Sequence, residues 1–94
     1  MASSNKSKFL QYIDYRVRAT MQDGRMFVGT FLAFDKHLNV VLSDCEEFRR
    51  IKAKKAGEPD KEIKRVLGMI IIRGDNLLSI QAEAPPQQEV RFSY

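Results

Sequence analysis

The run RMFVGTFLAF, residues 25–34, is rich in β-forming residues, almost wholly apolar and interrupted near its middle by one glycine, Gly29. Glycine inside a strand marks a bend, a bulge or a close backbone approach. Long strands bent at a glycine are what a small closed or nearly closed barrel requires. The rest of the chain repeats the pattern. From Tyr15 the residues Tyr15, Val17, Ala19 and Met21 alternate with Arg16, Arg18, Thr20 and Gln22, the period of a half-buried strand. Asp23-Gly24 then supplies residues that tolerate positive φ in a tight hairpin turn. NVVLSDCEEFRRI, residues 39–51, is again strand-like, and RVLGMIIIRGDNLLSIQ, residues 65–81, gives two more strands parted by Arg73, Gly74 and Asp75, with Gly68 as a second bend.

Before these strands, Phe9, Tyr12 and Ile13 share the spacing of one helical face, and Ser3 or Ser4 offers a cap, so a short N-terminal helix is expected. The chain has 94 residues, 44% hydrophobic and 30% charged, which suits one compact domain. The expected fold is all-β: a short N-terminal helix, then a strongly bent five-stranded antiparallel barrel of SH3-like or OB-like size. Phe27, Phe31, Phe34 and Phe48 are expected in its core because they alternate within strands. Residues 1–6 are expected as a flexible N-terminus, 7–83 as the domain, about 52–63 as a charged loop broken by Gly57 and Pro59, and 84–94 as an extended tail. The run VLGMIII is β-branched and uncharged, hazardous at a sheet edge, and the expected remedy is a strand from another chain.

The net charge of +4 is unevenly spread. Within residues 49–65 eight basic residues stand against Glu58, Asp60 and Glu62, so the whole positive excess lies there. Such a stretch either keeps a loop solvated or attracts phosphate through counterion release. The single cysteine, Cys45, excludes an intrachain disulfide and a structural zinc set, which fits a reducing compartment and a buried structural thiol. No apolar run approaches the ~20 residues that span a bilayer, and MASSNKSK lacks a signal-like apolar stretch. The expectation is an intracellular, soluble protein with no membrane partner.

Two strand connections carry unusual polar content: DKHLN, residues 35–39, and RGDN, residues 73–76. Each follows a long apolar strand, so a hairpin barrel can bring them together at one end. His37, Asp35, Ser43 and Cys45 are suitable types for a nucleophilic site, but no nucleophile elbow, phosphate-binding glycine loop or metal-ligand spacing accompanies them. No enzyme activity, cofactor, metal or small-molecule substrate is therefore expected. A reader of methylated tails would need aromatic residues clustered at one open end, whereas the Tyr and Phe residues here lie mostly within strands. GRMFVGTF echoes an RNA-recognition-motif signature, but the helices of that fold are missing.

DGRMFVGTFLAFDKHLNVVLSDC resembles the first Sm motif, with its Asp-Gly turn, central glycine, Phe-Asp and later Asn, and IIIRGDNLLSI resembles the second. The resemblance covers roughly residues 7–83. Within the Sm/LSm family, the DCEEFRRIK run, the long charged insertion and the Pro-Pro after the last strand are most similar to the B-type core subunit of spliceosomal small nuclear ribonucleoproteins. Ala84-Pro85-Pro86 stands where such chains carry Gly-Pro-Pro.

The resemblance implies the Sm fold and a noncatalytic subunit joined edge to edge with other Sm proteins in a heteroheptameric ring. It further implies uridine-rich single-stranded RNA as ligand, a role in pre-mRNA splicing, and a nuclear location with cytoplasmic assembly. A subunit of an LSm ring in RNA processing or decay, or a small β-barrel protein-interaction module, is the alternative. Base-binding positions carry over onto His37, Asn39, Arg73 and Gly74. His37 offers a ring on which a base stacks, and the Arg73 guanidinium can cover the opposite face. The Asn39 amide matches the donor and acceptor of the uracil edge. Asp35 is expected to orient Asn39 or the loop around Arg73, Lys36 to touch phosphate or remain solvated, and Asp75 to be auxiliary.

Overall fold

The computed structural model describes residues 2–86, with side chains described from residue 7 onward. Helix α1 (Ala2–Tyr12) is followed by strands β1 (Arg16–Met21), β2 (Met26–Phe34), β3 (Val40–Ile51), β4 (Lys61–Ile72) and β5 (Leu77–Ala84), with one 3-10 turn, Gly74–Asn76, between β4 and β5. The helix begins within the segment expected as a flexible N-terminus, and the cap expected at Ser3 or Ser4 concerns side chains outside the described residues. The tail expected over 84–94 lies outside them from residue 87 onward.

The five strands form one antiparallel sheet in the order β4-β3-β2-β1-β5. It is strongly bent but open, with β4 and β5 as its two edges, so the nearly closed form of the expected barrel is the one adopted. The bend follows a row of backbone irregularities. A Cβ on Gly29 would lie 3.0 Å from the Ser43 carbonyl oxygen and 3.1 Å from Leu42 Cβ, so only glycine lets β2 approach β3 this closely. Facing it, Asp44 takes φ 48°, and Gly68 of β4, paired with Cys45, takes φ 81°. The register slips on both sides of Cys45, a bulge that adds local twist. Both glycine bends expected from the sequence are thus present, joined by a third at Asp44.

Val17, Ala19 and Met21 point inward from β1, as their period of two requires, and meet Phe27, Phe31, Val40, Leu42, Cys45, Ile72 and Ile80. Helix α1 closes the core by inserting Phe9, whose ring meets Phe31 and Phe34 edge-on, each at 5.6 Å between centroids. Phe27 and Phe31 are buried and Phe34 packs against them, but Phe48 is only half-buried and lies outside this cluster. The bulge explains that correction. Before it Val40 and Leu42 are buried; after it the buried positions are Cys45 and Glu47, so Phe48 is turned off the inner face. The charged loop is shorter than expected, because β4 already begins at Lys61, paired with Ile51. Asp60 closes the loop by accepting the Ala53 N–H at 3.0 Å.

Candidate nucleic-acid interface

The two polar connections meet at one end of the sheet. Asp35 builds the first: its Oδ1 accepts the backbone N–H groups of His37 (2.9 Å) and Asn39 (3.0 Å), an arrangement that turns the chain through its own side chain. Leu38 takes the left-handed conformation, φ 62°, and its side chain packs onto the core, pinning the turn from beneath. His37 and Lys36 are left exposed at the tip.

Asn39 links this turn to the second. Its Nδ2 donates to Asp35 Oδ2 at 2.9 Å, while its Oδ1 accepts the Gly74 N–H at 3.0 Å. A carboxylate only accepts and a backbone N–H only donates, so these neighbours permit one orientation of the amide. Flipping it would set Nδ2 against N–H and Oδ1 against carboxylate. One Nδ2–H and one lone pair on Oδ1 remain for a ligand. The Asn39 side chain, followed by its backbone N–H, holds the Asp35 carboxyl below its ordinary value of 3.8, so the orienting group stays ionised at neutral pH.

Gly74 is pressed against the first turn. A Cβ there would stand 2.4 Å from the His37 carbonyl oxygen and 2.8 Å from that of Leu38. Arg73, extended at φ −78° and ψ 132°, precedes the 3-10 turn with its side chain exposed. His37, Asn39, Arg73, Gly74 and Asp35 are therefore brought to one place, with Lys36 beside His37. Asp75 contributes its backbone, since its carbonyl oxygen accepts from Gln22 Nε2 at 3.3 Å.

Sequence reasoning missed Gln22. Its backbone N–H also donates to the Asn76 carbonyl oxygen at 3.0 Å, so the β1–β2 turn braces the loop that carries Arg73. The only available signal was its place next to Asp23-Gly24. Also missed was Glu47, whose buried carboxylate lies 3.5 Å from Arg25, 3.6 Å from Arg49 and 3.3 Å from Arg65. Among the described residues no three His, Cys, Asp or Glu side chains converge as a metal site, and no helix is long and apolar enough to cross a membrane. Cys45 is fully buried, and burial pushes its thiol up to about 11.

The family model described as LSM domain matches residues 7–82, which span all five strands but for the last residues of β5 and include both polar connections. The chain belongs to the LSM-domain family. It is 60% identical over 87 residues to "Small nuclear ribonucleoprotein-associated protein B" of Dictyostelium discoideum, covering 93% of this chain and 31% of that protein. It is 42% identical over 89 residues to "Probable small nuclear ribonucleoprotein-associated protein B" of Caenorhabditis elegans, covering 95% and 56%. The chain thus spans about a third to just over half the length of these relatives. Among solved structures it resembles a heptameric archaeal Sm protein, with a TM-score of 0.57 and 28% identity over 84% of this chain and 96% of that one. The B-type resemblance in DCEEFRRIK and the Pro-Pro agrees with these relatives' names.

Proposed function

We propose that this LSM-domain chain is an RNA-binding subunit of a heteroheptameric Sm ring on the uridine-rich Sm site of small nuclear RNA, serving pre-mRNA splicing in the nucleus after assembly in the cytoplasm. The observation that carries the reading is the fixed amide of Asn39 between Asp35 and Gly74. Its free N–H and lone pair match the O4 acceptor and N3–H donor of uracil, whereas cytosine presents the reverse order. Accepting cytosine would require the flip that both neighbours oppose. His37 supplies a stacking surface and Arg73 a cation for the other face, both exposed beside that amide.

Ring formation is supported by the two free edges. Strand β4 exposes Val66 (78%), Met69 (67%) and Ile71 (70%), apolar side chains that gain by pairing with another chain. With β5 free at the other end of the sheet, β4 of one chain can pair with β5 of the next, a heterologous contact that closes into a ring. The names of the relatives favour a splicing particle over an LSm ring of RNA decay.

The test is binding of a uridine tract and of the matching cytidine tract by the assembled ring. Asn39→Ala should narrow the preference for uridine, and His37→Ala should weaken both tracts by about 1–3 kcal/mol per unstacked base. Equal affinity of the unaltered ring for the two tracts would refute the amide readout.

A further inference from the structure

A second polar constellation lies on the other side of the β1–β2 turn. Arg25 is held from two directions: its Nε donates to Asp23 Oδ2 at 2.8 Å, its Nη1 reaches Glu47 Oε2 at 3.5 Å, and its guanidinium lies 5.5 Å above the Phe27 ring. Arg49 and Arg65 reach the same Glu47 carboxylate, yet all three guanidiniums remain partly exposed. Glu47 can receive only a share of the N–H groups aimed at it, since each guanidinium carries five. Arg25, Arg49 and Arg50, with Asp23 and Gly24, line an open cleft of about 310 Å³. Three guanidiniums line the cleft, those of Arg25, Arg49 and Arg50, against the carboxylate of Asp23 in its wall and that of Glu47 beneath Arg25 and Arg49, leaving an excess of positive charge. Asp23 offsets Arg25, whose backbone N–H and Nε it accepts, and Glu47 is shared among Arg25, Arg49 and Arg65, so the excess rests on Arg49 and Arg50.

We propose that this cleft is a phosphate-binding station for the RNA strand, so that the chain grips a backbone phosphate apart from the nucleotide at Asn39; the proposal rests on the RNA-binding reading above. A buried carboxylate that fixes arginines whose outer N–H groups stay free is a preorganised anion site, and guanidinium suits the paired oxygens of a phosphodiester. The station is joined to the nucleotide loops through Gln22, which neighbours Asp23 and donates to Asp75 and Asn76. The basic stretch of residues 49–65 also begins here, at Arg49. This link through Gln22 between the cleft and the loop that carries Arg73 favours nucleic acid over an acidic peptide.

The experiment uses the protein in the assembly it forms and three probes: a uridine tract, the same tract extended at either end by abasic phosphodiesters, and the tract extended by uncharged methylphosphonates. The abasic extension should raise affinity several-fold and steepen the salt slope by about 0.7 for each phosphate seated, while the uncharged extension adds nothing. Arg49→Gln with Arg50→Gln should lose that gain and keep the affinity for the bare tract. Arg50→Gln alone guards against misfolding, since among the described residues Arg50 makes no ion pair. His37→Ala should lower affinity for the tract but keep the gain from extension. No gain in the unaltered protein, a gain that survives the double substitution in a folded protein, or displacement of the extension by a polyglutamate peptide would overturn the proposal. If uridine tracts fail to bind while abasic phosphodiesters bind through Arg49, the nucleotide reading falls and the cleft stands.

Discussion

Replacing Gly74 by alanine tests whether the two loops touch as described. The new Cβ would meet the His37 carbonyl oxygen at 2.4 Å, the Leu38 carbonyl oxygen at 2.8 Å and the Leu38 carbonyl carbon at 3.0 Å. All three are backbone atoms, so no side chain can swing away, and relief requires the loops to part by about 1 Å to reach ordinary contact distances. Parting them breaks the 3.0 Å bond from the Gly74 N–H to Asn39 Oδ1. Losing that bond costs about 0.5–1.5 kcal/mol and the overpacking about 1–3 kcal/mol. Together these predict a loss of roughly 1.5–4.5 kcal/mol, or a fall in Tm on the order of 6–36 °C for a domain of this size.

The assay is urea unfolding at fixed protein concentration, because assembly adds its own stability, with an unchanged m-value required before the loss is assigned to the native state. Gly57→Ala is the control. Gly57 has φ 90° and nothing within 4 Å of its notional Cβ, so it bears only the conformational penalty of about 1–2 kcal/mol. Uridine selectivity should survive Gly57→Ala and narrow with Gly74→Ala, since the latter leaves the Asn39 amide oriented by Asp35 alone. If the two variants match in stability and selectivity, the close approach of the loops is wrong.

The Asp35 carboxyl is held below 3.8 by Asn39, first through its side chain, so its stabilisation of the loop is complete above that ordinary value and is lost as pH falls through the lowered folded one. The Asn39 side-chain amide resonances should therefore hold steady from neutrality down to about 3.8 and move only below it; movement beginning near pH 5 would contradict the bonds to Asp35. Cys45 is fully buried with its thiol pushed up to about 11, so alkylation at neutral pH should proceed at the rate of unfolding and accelerate with urea. Immediate labelling of the folded protein would sink that assignment. Met69→Lys with Ile71→Lys changes side chains that are already exposed, so the fold should lose no more than about 0.5 kcal/mol per substitution while native mass spectrometry shows the assembly diminished. Intact assembly would remove β4 as a joint.

Much of this was legible because it rests on local rules. The alternation of Val17, Ala19 and Met21 gave β1 its inward face, Phe9 sat at helical spacing to meet the core, and Gly29 marked the bend. The pairing of residues 35–39 with 73–76 was also within reach, since each follows a strand that ends on the same side of an antiparallel sheet. What the pattern could not supply is the direction of each hydrogen bond at Asn39. That depends on the Gly74 N–H reaching back 35 positions along the chain.

The largest misreading has a single cause, and it leads to the arginine cleft. A period of two carried from Val40 through Leu42 would place Asp44, Glu46 and Phe48 inward, in keeping with the expectation of Phe48 in the core, and would leave Glu47 facing out. Asp44 instead takes φ 48°, the register slips around Cys45, and the inward positions become Cys45 and Glu47. A carboxylate carried inward by a slip must find cations, and Arg25, Arg49 and Arg65 supply them. Those arginines then cannot range freely through solvent as surface residues do; they are oriented by the buried group beneath them. The bulge that bends the sheet is thereby also the feature that fixes the cations lining the cleft, so straightening β3 at Asp44 would disorder Arg25 and Arg49 without touching either residue.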